Sequence, residues 1–156
     1  MFTITTLLTF GCILMLARIF GFMPFGLTLL VPDEGEVQML TNALTQYEDC
    51  YLELYKAAKT PAEADTVASY TLMTGQGYAH KTLTKGSWSV ANVAGVTTAS
   101  YALQAFVFTG GGPDTIYGYL VRGVTSNKLY WAEQITSQVV QNNGDTINIT
   151  PKVTLE

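Results

Sequence analysis

The sequence has little charge and few residues that react or bind metals. Only 13% of its 156 residues are charged, against about 25% in a typical soluble domain. It contains one histidine and two cysteines, too few for a disulfide framework or a four-ligand zinc site. A formal net charge of −4 also argues against the clustered positive surface that binds nucleic acid. We therefore expect no cofactor, no metal, no nucleic-acid partner and no enzymatic activity.

Apolar residues are abundant in the chain. Residues of apolar type make up 48% of the chain, which excludes a disordered polypeptide and allows a core without disulfides or metals. Residues 1–31 stand apart because they contain a single charge, Arg18. They lack the basic start and cleavage site of a secretory signal, and glycine and threonine weaken a membrane span. We interpret residues 1–31 as an apolar N-terminal arm or an upstream extension with the true start at Met23, and residues 32–156 as one domain.

A helix is predicted over residues 33–47, at the start of this domain. Asp33 is predicted to cap it, with Glu36 completing a capping box. Apolar residues then follow at the spacing of one helical face, which predicts a buried stripe. The stripe consists of Val37, Leu40, Leu44 and Tyr47.

After residue 47 the apolar period changes to two, which is typical of strands. The predicted strands cover residues 50–56, 77–84, 87–91, 100–109, 115–124, 128–135, 138–140, 145–150 and 152–155. Residues 125–127 predict a hairpin, and Asn143-Gly144 predicts a second one with a type I′ turn. Pro151 suits the first residue of a strand or an edge strand. We expect a mainly β fold: an antiparallel β-sandwich or barrel of about seven to nine short strands with one N-terminal helix.

Acid–base chemistry has few candidates in this pattern. Glu53 and Glu133 are single carboxylates on apolar strands, and a glycosidase-like pair would need them close together. His80 has no serine in a nucleophile-elbow sequence to act with, so a surface or interface role is the better interpretation. No catalytic residue is predicted.

Aromatic residues are abundant for so weakly charged a chain, with nine tyrosines, seven phenylalanines and two tryptophans. Six strand aromatics are candidates for a protein-binding or carbohydrate-binding face, although strand aromatics often serve as core. The six are Tyr51, Tyr55, Tyr117, Tyr119, Tyr130 and Trp131. Because alternate residues of a strand face opposite sides, Tyr130 and Trp131 are expected on opposite faces.

From residue 30 onward the chain contains a series of distinctive segments: LVPDEGEVQML (30–40), LYK (54–56), TPAEADT (60–66), GYAHKTLT (77–84) with the following Trp88, YGYLVRG (117–123), LYWAEQ (129–134) and GDTINITPKVTL (144–155). In these segments and their order the chain resembles a family of small uncharacterised virion structural proteins of aquatic tailed bacteriophages. The segments cover nearly all of residues 30–155, whereas the residues before Met23 fall outside the pattern. None of these segments names a chemistry.

The resemblance implies a structural protein of the virion, most specifically a capsid decoration or cement protein that stabilises the phage head. Its expected partners are the major capsid protein or neighbouring virion proteins, with homo-oligomers on the particle and no membrane association. Two alternatives stay open: a tail or head–tail component, and a carbohydrate-binding β-module that uses the aromatic residues.

Overall fold

The computed structural model describes residues 31–155, which form one N-terminal helical segment, nine strands and two short 3₁₀ turns (Val67–Ser69 and Lys85–Ser87). Helix α1 (Asp33–Thr41) continues directly into a π-helical turn (Asn42–Gln46). The strands are β1 (Cys50–Tyr55), β2 (Lys81–Leu83), β3 (Ser89–Val93), β4 (Val96–Ser100), β5 (Gln104–Thr109), β6 (Asp114–Gly123), β7 (Leu129–Val140), β8 (Asn143–Ile149) and β9 (Lys152–Leu155). The predicted start at Met23 and the arm up to residue 30 lie outside the described residues.

All strand pairings in this part of the chain are antiparallel. The first sheet has the order β2-β1-β6-β7. The remaining strands pair as β3-β4-β9 and β5-β8. A hydrogen bond from the Tyr101 amide to the Pro151 carbonyl joins these two groups where β4 leads into β5 and β8 into β9. These two groups of strands form the second layer, which bends at this junction. Within residues 31–155 the sheets are open, and the fold is sandwich-like, as predicted.

The main core lies between the two layers, because alternate residues of each strand point inward. On β1 these are Cys50, Leu52 and Leu54, all with no exposed area. Phe106 and Phe108 of β5 contribute the facing aromatic rings. The opposite face of the first sheet carries a second, smaller cluster, composed of Tyr55, Tyr70 and Leu120. The first sheet is therefore covered on both faces, which explains the near-continuous burial of β1.

The helix ends at Gln46, close to the predicted boundary, but two predictions about it are wrong. Pro32, not Asp33, is the N-cap, and no side chain caps the helix. Glu36 instead turns inward, where its carboxylate accepts a hydrogen bond from the Thr97 hydroxyl at 2.8 Å. Tyr47 is 69% exposed, although Leu40 and Leu44 of the same stripe are buried. The wider π-helical turn rotates the chain between Leu44 and Tyr47, so the α-helical spacing no longer places them on one face.

The predicted turn at residues 142–145 is present, but its type and the strands beside it differ from the prediction. Asn142 to Asp145 is a turn, closed by a 3.2 Å hydrogen bond between the Asp145 amide and the Asn142 carbonyl. Gly144 has φ +92, as predicted, but Asn143 is not among the described residues with positive φ, so the type I′ prediction is wrong. The strands on either side also belong to different sheets. The pair of positive φ values occurs instead at Ala94 and Gly95, which join β3 and β4.

Several predicted strands are shorter or shifted. Of residues 77–84, only Lys81–Leu83 are strand, because Gly75, Gln76 and Gly77 all have positive φ and turn the chain before it. Residues 100–109 divide at Ser100, since the ladder bends there. The hairpin across residues 125–127 is present as predicted, and Pro151 directly precedes the edge strand β9.

Candidate protein-binding surface

A β-bulge in β7 determines where the strand aromatics of this region point. Val121 pairs with Trp131 and Arg122 with Leu129, so Tyr130 is an extra residue opposite the regular ladder of β6. An extra residue breaks the alternation of a strand. Tyr130 and Trp131 consequently both pack against the main core, and the prediction that they face opposite sides is wrong. Together they form a ridge between two recesses, and we call this pair the aromatic ridge.

On one side of the aromatic ridge lies an apolar groove with a volume of about 490 Å³. The helical segment forms one wall, and the ridge and β9 form the other. The lining residues are Leu40, Asn42, Ala43, Leu44, Tyr47, Tyr130, Trp131 and Val153. Asn42 is the one lining residue with a carboxamide, and the others are aliphatic or aromatic. The π-helical turn supplies three of the eight lining residues, and the exposed Tyr47, which directly follows the turn, supplies a fourth.

Glu48 holds the ridge and the neighbouring loop in place. Its carboxylate accepts hydrogen bonds from the amides of Thr125 and Ser126, at 2.6 and 3.0 Å, and from the Tyr130 hydroxyl at 2.8 Å. Hydrogen bonding, foremost from the Ser126 side chain, lowers the pKa of Glu48 to about 2. Burial and the same carboxylate raise the pKa of Tyr130. The ridge is therefore fixed by a charged, 9% exposed side chain at the end of the helical segment.

On the other side of the aromatic ridge lies a more polar recess of about 280 Å³. Asp65 lies in the wall of this recess. Its carboxylate accepts hydrogen bonds from the Ala62 amide and the Tyr70 hydroxyl, each at 2.9 Å, and forms an ion pair with Lys59 at 2.9 Å. These contacts, with the Lys59 hydrogen bond foremost, lower the pKa of Asp65. Because the Asp65 carboxylate already has these partners, it stabilises the loop that lines the recess and is not an open site for a polar ligand.

The six predicted aromatics do not form a single exposed face. Tyr55 and Tyr119 are core residues, with 0% and 3% exposure, and Tyr117 packs beside the smaller cluster. Tyr51 is half-buried, with its ring centroid 4.1 Å from that of His80 and 4.8 Å from the Arg122 guanidinium carbon. The structure brings together only the two ridge residues at a groove. Strand alternation could not identify them, because the bulge has no signal in the sequence.

The two single carboxylates of the strands lie on opposite faces of the first sheet. Glu53 forms a bidentate ion pair with Arg122, at 2.7 and 3.1 Å, and raises the pKa of that guanidinium. His80 lies 3.9 Å from the same carboxylate. Glu133 instead accepts a hydrogen bond from the buried Tyr119 hydroxyl. Glu53 and Glu133 therefore cannot act as a glycosidase pair across one cleft.

Sequence reasoning did not anticipate the groove, although it predicted part of one wall. The helical stripe identified Leu40, Leu44 and Tyr47, all of which line the groove. Ala43 and Val153 reach it only through the π-helical turn and the position of β9. The acidic run at the helix start drew attention to Asp33 and Glu36, but the carboxylate that positions the ridge is Glu48. A single carboxylate after a helix carries no recognisable motif.

The part of the chain that the structure describes contains no cluster of three or more potential metal ligands. Among residues 31–155, no helix is both long and apolar enough to cross a membrane. Comparison with protein-family models, with curated proteins and with solved structures finds nothing similar to this chain.

Proposed function

We propose that this chain is a structural protein of a bacteriophage virion, a capsid decoration or cement protein that binds neighbouring virion proteins on the head. The observation that carries the proposal is the apolar groove beside the aromatic ridge. A groove of about 490 Å³ with almost wholly aliphatic and aromatic walls suits apolar side chains of another protein. The segments of residues 30–155 that we interpret as resembling virion structural proteins favour the same class of function.

The groove also has aromatic side chains at its rim that an interface could bury. Aromatic residues in partly buried positions are typical anchors of protein interfaces, and Tyr47 presents its ring at the rim with 69% exposure. A decoration protein stabilises a shell by mass action, because it binds the assembled lattice and not the free subunits. Particles that lack the protein should therefore assemble but lose DNA more readily on heating.

Quantitative mass spectrometry of purified virions tests the proposed class. We expect hundreds of copies per particle, as a repeated site on the head requires. A handful of copies would favour the tail or head–tail alternative, and complete absence from particles would contradict a virion role. Binding of the isolated chain to glycans would instead favour the carbohydrate-binding alternative.

A variant in the groove tests the surface. Ala43→Lys places a charge among the apolar walls, so it should prevent rebinding to particles purified from a phage that lacks the gene. Met39→Lys is the matched control, because Met39 is on the same helical segment and 56% exposed but does not line the groove. Co-sedimentation with the particles measures both. Equal binding of the two variants would contradict the groove as the contact surface.

A further inference from the structure

The turn at the start of β8 contains the one asparagine of the chain that precedes a glycine. The six asparagines are Asn42, Asn92, Asn127, Asn142, Asn143 and Asn148. Asn143 is followed by Gly144, whereas the other five are followed by residues with a side chain. The side-chain carbonyl carbon of an asparagine can reach the backbone nitrogen of the next residue, and a side chain on that residue obstructs the approach. Because glycine has no side chain, this nitrogen is least shielded at Asn143.

The Asn143 side chain is exposed, and its carboxamide has no hydrogen bond to any of the described residues. The carboxylate nearest to it in sequence, Asp145, is occupied elsewhere. It accepts hydrogen bonds from the backbone amides of Gln141 and Asn142, each at 2.8 Å. In the part of the chain that the structure describes, no contact of this kind restrains the Asn143 carboxamide from rotating towards the Gly144 nitrogen.

The space around Gly144 is open as well. The residue is exposed, and a methyl group built on it would meet nothing within 4 Å. It also lies in an irregular part of the β5–β8 ladder, because Asn143 pairs with Thr109 and the register shifts before the next pair. Gly144 and Asp145 therefore lie opposite the single residue Phe108, as in a β-bulge. The backbone at Gly144 is thus outside the regular pairing and accessible to solvent.

We propose that Asn143 is a modification site, at which the chain deamidates through a cyclic imide with water as the co-reactant. The Gly144 backbone nitrogen gives its proton to the solvent and attacks the side-chain carbonyl carbon of Asn143. The new carbon–nitrogen bond closes the imide ring, and the side-chain nitrogen leaves as ammonia. Water then adds to one of the two ring carbonyl carbons and breaks its bond to the ring nitrogen. Opening on the side-chain side gives aspartate, and opening on the main-chain side gives isoaspartate.

Both products change the turn. Each adds one negative charge to a chain whose net charge is −4. Isoaspartate also adds a carbon atom to the main chain. The hydrogen bond from the Asp145 amide to the Asn142 carbonyl and the pairing of Asn143 with Thr109 then cannot both keep their geometry. Deamidation therefore loosens this end of the β5–β8 ladder. The turn does not line the apolar groove, so the inference does not rest on the proposed virion role.

Ageing of the full, folded chain at mildly alkaline pH, followed by peptide mapping with mass spectrometry, tests the site. We expect severalfold more conversion at Asn143 than at Asn142, its exposed neighbour, and a mixture of aspartate and isoaspartate. Ion-exchange chromatography follows the added charge in the intact protein. Asn143→Gln should not develop the acidic species, because the longer side chain disfavours ring closure. Asn142→Gln is the matched control and should develop it as the parent protein does.

Two results would overturn the inference: conversion at Asn143 no faster than at Asn142, and an acidic species that develops equally in Asn143→Gln. Circular dichroism shows whether each protein stays folded during ageing. The peptide map of the parent protein is decisive by itself if a variant does not fold. The parent chain unfolded in urea is the reference. Conversion of Asn143 in urea but not in the folded chain would show that the turn prevents ring closure, and would reject the site.

Discussion

Gly118, on β6, packs closely against the Tyr55 side chain and against the backbone of β7. A methyl group there would collide with the Glu133 carbonyl oxygen and with the Tyr55 ring, whose hydroxyl donates a hydrogen bond to that carbonyl. The carbonyl belongs to the ladder and the ring is fully buried, so neither can move freely. The glycine is therefore required by close packing and not by its φ angle.

We predict that Gly118→Ala lowers the free energy of unfolding by about 1–3 kcal/mol, the usual cost of overpacking. Urea denaturation followed by circular dichroism measures it. Gly86→Ala is the control, because a methyl group at Gly86 meets nothing within 4 Å and its φ is not positive. That substitution should change the unfolding free energy by less than about 1 kcal/mol. Equal effects of the two substitutions would contradict the packing argument.

A second prediction at the residue scale concerns Glu48 and pH. Its pKa of about 2 in the folded chain lies below the ordinary value of 4.5, because the hydrogen bonds favour the carboxylate. A depressed pKa contributes stability that is fully present above pH 4.5 and is lost as the pH falls towards 2. The melting temperature should therefore fall across this range, with the loop at Thr125 and Ser126 released as the carboxylate is protonated.

Glu48→Gln separates this carboxylate from the other acids of the chain. The variant should be less stable than the parent at neutral pH, and its melting temperature should fall less steeply between pH 4.5 and 2. Glu63→Gln is the control, since Glu63 is exposed and has no hydrogen bond among the described residues. A Glu48→Gln profile parallel to that of the parent would show that Glu48 does not drive the loss.

At the scale of elements, the helical segment has one face that packs in the core and stabilises the fold, and another face that is exposed. Leu44 is 3% exposed in the main core, whereas Met39, on α1, is 56% exposed. Leu44→Ala should cost about 2–5 kcal/mol of unfolding free energy, from lost burial and the cavity left behind. Met39→Ala should change it by about 0.5 kcal/mol or less. Thermal and urea denaturation compare the two, and a neutral Leu44→Ala would place the helix outside the folded core.

A helix or strand could be predicted where its apolar residues repeat with a long, regular period. It could not be predicted where one extra residue shifts that repeat. The alternation of β5 is clear in the sequence because that strand buries one face only, and its residues from Ala105 to Thr109 are alternately exposed and buried. The π-helical turn and the bulge at Tyr130 each insert one residue into a period, and tertiary contacts select them. Ala94-Gly95 forms the hairpin turn because β3 and β4 fix its register, even though Asn143-Gly144 has the stronger local preference.

At the scale of the whole molecule, the fold class could be predicted and the groove could not. The class depends on patterning, which the chain repeats over many strands. The groove depends on the relative positions of three elements that are distant in sequence: the helical segment, β7 and β9. Of the six aromatics proposed from the sequence, only Tyr130 and Trp131 line it. A site that depends on one bulge and one π-helical turn can be identified only from the three-dimensional structure.

The central pairing of the first sheet has a consequence for how the chain folds during synthesis. β1 pairs with β6, and Glu53 finds Arg122 across 69 residues of sequence. A ribosome that adds about 5–20 residues per second leaves β1 without its partner for several seconds. During that time its apolar face is exposed, while the local β3–β4 hairpin can form early. Slower translation between β1 and β6 should therefore increase aggregation of the nascent chain, and a chaperone that shields β1 should decrease it.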